Sequence, residues 1–356
     1  VDVIGSAPGK VFVIGEYGVV DGGPAVVASI NRRLRVRVRA RRGSGEITVH
    51  GGGAPVRRTL GCEQIADVPP EVRFVMAAAL VAARVFALDA TDLDITTESE
   101  LDPGATKTGL GGSAAVTAAT VRAVHRIARD REPCGDEEHP QVAAAVYAHR
   151  LSQGSGSAAD VIASSAGGLV WLDGLDGSDV PTSVADAAAR ATGQPLDWAR
   201  LALPSTLALE VVASGRSCAT APRVARYRAA AARSARSVEA WASGMRAASE
   251  GFRDGCRAGN AATVLRATRL AARLLSRLGA IASIAVYTPE LRLACALADT
   301  LPGTAAKPSG AGGGDCAIAI TSHRQRAQLR ARWSAAGLLP LGVDLEPTGA
   351  ACEVLP

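Results

Sequence analysis

Residues 107–129, KTGLGGSAAVTAATVRAVHRIAR, set glycines at 109, 111 and 112 and a serine at 113 directly ahead of an alanine-rich run of helical character. Glycines let a backbone turn sharply and approach an anion closely, and a helix start offers unpaired N–H groups and the positive end of its dipole. Ser113 adds a hydroxyl for a phosphate oxygen or for the magnesium that accompanies it. A loop that merely caps a helix is the alternative. Two common nucleotide patterns are not met. GxxxxGK[ST] needs a lysine between its last glycine and the hydroxyl, whereas Ser113 follows Gly112 at once. GxGxxG is not completed either, and no acidic residue follows at the distance a dinucleotide ribose requires.

Other segments carry a similar density of unusual residues. Near the N-terminus, Lys10 follows Pro8-Gly9 and leads into the apolar run VFVI, which is left through Gly15-Glu16-Tyr17. At 307–320, KPSGAGGGDCAIAI packs four glycines into residues 310–314 ahead of an alternating strand. Close approach of backbone to a ligand would use such glycines; a long surface loop is the alternative. Asp160 stands in GSGSAADVIASSAGG (154–168), whose small residues leave its carboxylate few local partners, so a lysine from elsewhere in the chain, with Lys10 the candidate, is its expected ion-pair mate. The segment SGRSCATAP (214–222) offers Arg216, Ser217 and Thr220 ahead of a helix, a second place suited to an anion or simply a cap.

The opening PGKVFVIGEYGVVDGGPAVV, the loop KTGLGGSAAVT and the run SGAGGGDC at 309–316, in this order and spacing, resemble the GHMP kinase family of galactokinase, homoserine kinase, mevalonate kinase and phosphomevalonate kinase. The likeness spans nearly the whole chain. It is stronger to the phosphomevalonate kinase branch, through VYTPELRLA (286–294), the tail LRARWSAAGLLPL (329–341), and Asp315, where mevalonate kinases usually carry glycine.

The resemblance implies an α+β, two-domain GHMP kinase fold with its active site in the cleft between domains: 1–190 nucleotide-binding and 191–356 C-terminal. It implies an ATP- and magnesium-dependent phosphotransferase acting on (R)-5-phosphomevalonate. Mevalonate is the rival acceptor, and a non-catalytic nucleotide- or metabolite-binding relative is the alternative of another class. Lys107, Gly109, Leu110, Gly111, Gly112, Ser113 and Ala114 are expected to cradle the nucleotide. Lys10 is expected to stabilise charge on the transferred phosphoryl group, with Asp160 taking the acceptor's proton or positioning Lys10. Ser113 with Glu16 or Asp160 is expected to hold magnesium. The acceptor is expected to meet Lys10, Glu16, Tyr17, Ser157, Asp160, Arg216, Thr220, Gly310, Ala311, Gly312 and Gly313. Two departures stand out: the family loop commonly reads GLGSS, so Gly112 removes one hydroxyl, and SELDPGATK (99–107) differs from both mevalonate-pathway subgroups.

These residues need elements to hold them. Strand-like runs VFVIGEY, PAVVASI, RLRVRVRA and GEITVH fill the first 60 residues, followed by a helical stretch at 71–88 and a strand at 93–99. A further helix is expected from about 140 to 152, strands at 167–172 and 207–214, and helices through 222–280. Gly, Pro and Ser signals between about 175 and 205 mark the loose domain boundary. With 356 residues, 48% hydrophobic and 21% charged, the chain can build two cores. No run of eighteen apolar residues and no signal-peptide pattern is present, so neither a membrane partner nor export is expected and the cytoplasm is the default. Seven scattered cysteines without CxxC spacing read as small packed residues, Cys316 included. The net charge of +5 lies largely in RRLRVRVRARR (32–42), whose period-two alternation is that of a half-exposed strand. With 3% aromatic residues to stack on bases, nucleic acid is not an expected partner. Monomer and homodimer both remain open.

Overall fold

The computed structural model describes residues 1–101, 108–129, 138–193 and 196–356. The arginine-rich alternation becomes one half of a long strand, with Leu34, Val36 and Val38 buried and Arg35, Arg39 and Arg41 exposed. Strands β1 (Asp2–Ile14), β2 (Ala25–Arg42), β3 (Glu46–Val49), β4 (Val56–Thr59), β5 (Thr91–Ser99), β6 (Leu169–Leu172) and β7 (Trp198–Leu201) form most of the first sheet. PAVVASI and RLRVRVRA, which read as two strands, are the single strand β2, because neither glycine nor proline interrupts 25–42. The break between them is a bulge: the pairing register jumps from Pro8↔Arg33 to Gly9↔Ile30, leaving Asn31 and Arg32 unpaired with β1 and setting Lys10 opposite Ser29.

Against this sheet pack α1 (Pro70–Val85), α2 (Gly112–Ala128) and α4 (Ala159–Ala166), with α3 (Glu138–Gln153) and α5 (Val184–Ala191) packed on those helices. Helices α2 and α4 lie directly on β1 and β2, and α3 packs against α1, α2 and α4. Alanines 77–79, 82, 83, 114, 115, 118 and 119 are buried along these contacts, and their small side chains let the helices approach closely.

The second sheet is antiparallel, in the order β11-β8-β10-β9, from β8 (Leu207–Ala213), β9 (Thr304–Pro308), β10 (Cys316–Ser322) and β11 (Leu339–Pro340). Its helices are α6 (Ala221–Arg233), α7 (Ala235–Arg257), α8 (Ala261–Ala282), α9 (Pro289–Asp299) and α10 (Arg326–Ala335). Thr288 starts α9 by accepting the Leu291 N–H, with Pro289 at the first helical position. Trp241 Nε1 donates to Leu274 O at 2.8 Å and ties α7 to α8.

A division of the chain at residue 190 does not follow the sheets. β7 pairs with β6, and the last strand, β12 (Ala351–Leu355), returns to pair antiparallel with β1, Asp2 opposite Leu355. Covering the free edge of β1 in this way removes an unpaired row of backbone groups. No helix among the described residues is long and apolar enough to cross a membrane.

Candidate active site

Strand and loop meet at Gly9. A Cβ there would lie 2.8 Å from both the Leu110 carbonyl oxygen and Leu101 Cδ2, so only glycine lets the loop settle on β1. The next N–H, that of Lys10, donates to Leu110 O at 2.8 Å. Gly111 sits at φ 85° as the N-cap of α2, and a Cβ on it would meet Lys10 Cγ and Cε at 2.7 Å. The lysine side chain therefore runs along the bare face of the loop, its Nζ 5.6 Å from the Phe12 ring centroid. Helix α2 begins at Gly112, which leaves the first-turn N–H groups without intrahelical partners, and Gly112 and Ser113 line the cleft.

Ser113 Oγ lies 3.2 Å from Nε2 of His149 on α3. Burial holds the His149 imidazole below its usual pKa; Asp160 opposes that shift, and Lys10 and Arg150 add to it. A neutral imidazole thus steadies the serine hydroxyl. Asp160 is in the first turn of α4, entered through Ala158 in the left-handed region at φ 56°. Its Oδ1 accepts the Val161 N–H at 3.1 Å, and Ser157 Oγ accepts the Ala159 N–H at 3.4 Å. The expected Lys10–Asp160 ion pair is not formed within 4.0 Å among the described residues. The helix start engages the carboxylate, and the lysine lies along the loop; both still line one cleft.

The opposite wall comes from the second sheet. At the end of β9, Lys307 forms an ion pair with Glu16 Oε1, both side chains being fully buried. Glu16 Oε2 is buried without a hydrogen-bond partner. Ser309 Oγ donates to Phe12 O at 2.9 Å and Tyr17 OH to Ala311 O at 2.7 Å, so three contacts fasten the exit of β1 to residues 307–311. Burial raises the Tyr17 phenol's pKa and keeps it a donor. Together the walls enclose a cavity of about 880 Å³.

Most expected residues line this cavity: Lys10, Glu16, Tyr17, Gly109, Leu110, Gly111, Gly112, Ser113, Ser157, Asp160, Thr220, Gly310 and Ala311. Four do not. Ala114 is buried inside α2. Gly312 is packed on Val286 and Gly313 under the Arg223 guanidinium, so these glycines serve the loop's own packing. Arg216 is drawn outward to Glu290, at 2.9 Å. Lys107 lies outside the described residues. Cys316 lines the cavity but is buried, which pushes its thiol up to about 11.

Three lining or supporting residues escape a reading of the sequence. Arg228 lines the cavity where Arg216 does not, and its signal was helical spacing: Ala221, Val224, Ala225 and Arg228 form one face of α6 along the cleft. Lys307 opens the glycine-rich segment, yet nothing local marks its partner, which is 291 residues away. His149 has no local signal at all.

A basic side chain threaded past a glycine loop, a helix start and two carboxylates around one cavity suit the transfer of a phosphoryl group between two ligands. The sequence matches the family model described as GHMP kinases N terminal domain at residues 73–168 and that described as GHMP kinases C terminal at 253–338. It is 32% identical to a phosphomevalonate kinase from Streptomyces sp. (strain CL190), over 95% of this chain and 96% of that protein. A mevalonate kinase from Methanothermobacter thermautotrophicus is 34% identical over 47% of this chain and 49% of its own length. Among solved structures, the Lin0012 protein from Listeria innocua superimposes with a TM-score of 0.87 at 22% identity, covering 99% of both chains. A Streptococcus pneumoniae phosphomevalonate kinase in complex with phosphomevalonate and AMPPNP does so with 0.77 at 18% identity, covering 96% of this chain and 99% of that one. The chain belongs to the GHMP kinase family and is a phosphotransferase with that family's two-domain α+β fold.

Proposed function

We propose that the protein transfers the γ-phosphoryl group of ATP to the phosphate of (R)-5-phosphomevalonate, giving the diphosphate and ADP. The observation that carries this reading is the end-to-end similarity to a phosphomevalonate kinase, supported by a cleft with a cation on each wall, Lys10 and Arg228. The loop 109–113 and the start of α2 receive the nucleotide's phosphates, and Lys10 neutralises charge that develops on the transferred group. Ser157, Thr220 and Arg228 receive the acceptor, the arginine pairing with one of its anionic ends. The second ionisation of an acceptor phosphate falls near about pH 6, so at neutral pH its oxygen is largely ready to attack and no strong base is required. Asp160, on the cleft, therefore orients the acceptor rather than removing a proton from it.

Hard oxygen donors suit magnesium, which keeps several waters and binds through one or two protein groups and the substrate's phosphates. Among the described residues no cluster of three or more His, Cys, Asp or Glu forms a ready cage. Ser113 Oγ and the Asp160 carboxylate, both on the cleft, are the fitting donors, and Glu16 retains an unpartnered Oε2 there. When bound, the ion supplies charge neutralisation on the phosphates.

The test is ATP-dependent ADP release with 5-phosphomevalonate, mevalonate, homoserine and galactose offered in parallel. Turnover on 5-phosphomevalonate alone is expected; turnover on mevalonate alone would replace the acceptor reading while leaving the family intact. In the same assay, Lys10→Met and Asp160→Asn are each expected to lower kcat by roughly 10²–10³ with an unchanged melting temperature. Near-normal kcat in either would remove that residue from its role.

A further inference from the structure

Asp315 ends the run Gly312-Gly313-Gly314 at φ 54°, in the left-handed region where a fourth glycine would rest without strain. Its carboxylate is wedged between two parts of the cleft. Oδ1 accepts the Cys218 N–H at 3.1 Å, and the Asp315 N–H donates to Arg216 O at 2.6 Å. On the other side a Cβ on Gly109 would fall 2.5 Å from Asp315 Cγ and 2.6 Å from Oδ2, so the phosphate loop rests against this side chain. The turn it holds leads from Arg216 into Ser217, Cys218 and Thr220, which line the opposite wall.

Neither the backbone strain nor a carboxylate beside a polyphosphate loop favours aspartate for packing alone, since glycine is the better residue at this φ. We propose that Asp315 is a positioning residue: it spans the phosphate loop and the 216–220 turn and so fixes the spacing between the bound nucleotide and the acceptor. This rests on the cleft being the phosphotransfer site. Asp315 acts through Gly109 and Cys218 rather than by touching the reacting atoms.

Asp315→Gly is the decisive variant, because it removes the wedge while relieving the backbone. Its melting temperature is expected to equal or exceed that of the unaltered protein, with kcat lower by about 10- to 100-fold, the scale of a small misplacement of reacting groups. ADP affinity is expected to stay within about threefold. Asp315→Asn, whose amide oxygen still accepts from Cys218, is expected to recover most of kcat. Normal kcat in the glycine variant, or a kcat loss accompanied by a lower melting temperature, would overturn the proposal, as would an asparagine variant no better than glycine. A second readout does not depend on turnover: N-ethylmaleimide labelling of Cys218, followed by peptide mass spectrometry, should be several-fold quicker in Asp315→Gly than in Asp315→Asn, which loses the same thiol-raising charge but keeps the acceptor for the Cys218 N–H. If the unaltered protein turns over no acceptor, the functional reading fails, and the labelling rates still decide whether Asp315 holds the turn; equal rates in the two variants overturn it.

Discussion

Glu16 on the cleft and Glu210 behind the second sheet are both buried carboxylates, and their surroundings differ in one respect. Glu210, on β8, has both oxygens taken: Arg326 Nε and Arg330 Nη2 meet Oε1, and Arg330 Nε meets Oε2 at 2.6 Å. Glu16 has one oxygen on Lys307 and the other unpartnered. Burying a charge costs several kcal/mol unless every lone pair finds a partner. Where the need is met on all sides, the group serves the fold; where it is met halfway at a cleft, capacity for a ligand remains.

That contrast can be broken by experiment. Arg326→Met combined with Arg330→Met leaves Glu210 buried without counter-charge, and a loss of about 3–5 kcal/mol is expected in urea unfolding. Turnover per folded molecule should stay normal; a kinetic defect would show that the back of the sheet reaches the cleft. Glu16→Gln strands the Lys307 ammonium and is expected to cost about 1–3 kcal/mol of stability together with turnover. Adding Lys307→Met removes the second charge and should restore most of the stability but not the activity. Recovery of both would make Glu16 a structural twin of Glu210.

The smallest effect concerns His125, on α2, whose Nδ1 is buried without a partner and whose ring packs edge-on to Phe86 at 4.6 Å. Burial, aided by Arg122 and Arg129, pushes its pKa from 6.5 down to about 4. The unfolded chain therefore binds this proton more readily, so stability is complete above pH 6.5 and declines as pH falls from 6.5 towards 4. Urea midpoints at pH 7 and pH 5 should differ less in His125→Leu than in the unaltered protein, His149 retaining a slope of the same sign. Turnover per folded molecule in that variant should be normal. An altered kcat would mean that an unpartnered group away from the cleft also bears on function.

The legible part of the site is the part made by neighbours in sequence. Gly109, Gly111, Gly112 and Ser113 form one loop and one helix start, and their chemistry is written in their types and order. Lys10 was legible because Pro8-Gly9 precedes it, although its course past Gly111 was not. Arg216 and Arg228 show the limit: one arginine precedes α6 and the other lies midway along it, and only the position of Glu290 and the facing of the helix send the first outward and the second to the cavity wall.

The sequence by itself determined the glycine loop ahead of α2, the alternating second half of β2, the helix-rich second half and the kinase family, because local turn chemistry and hydrophobic period act over a few residues. Only the tertiary structure decided that β12 closes the edge of β1, that Glu16 meets Lys307, that His149 steadies Ser113 and that Asp315 leans on Gly109. These are contacts between segments far apart in the chain, selected by packing and by the need to compensate buried charge, and no local pattern encodes which distant partner does so.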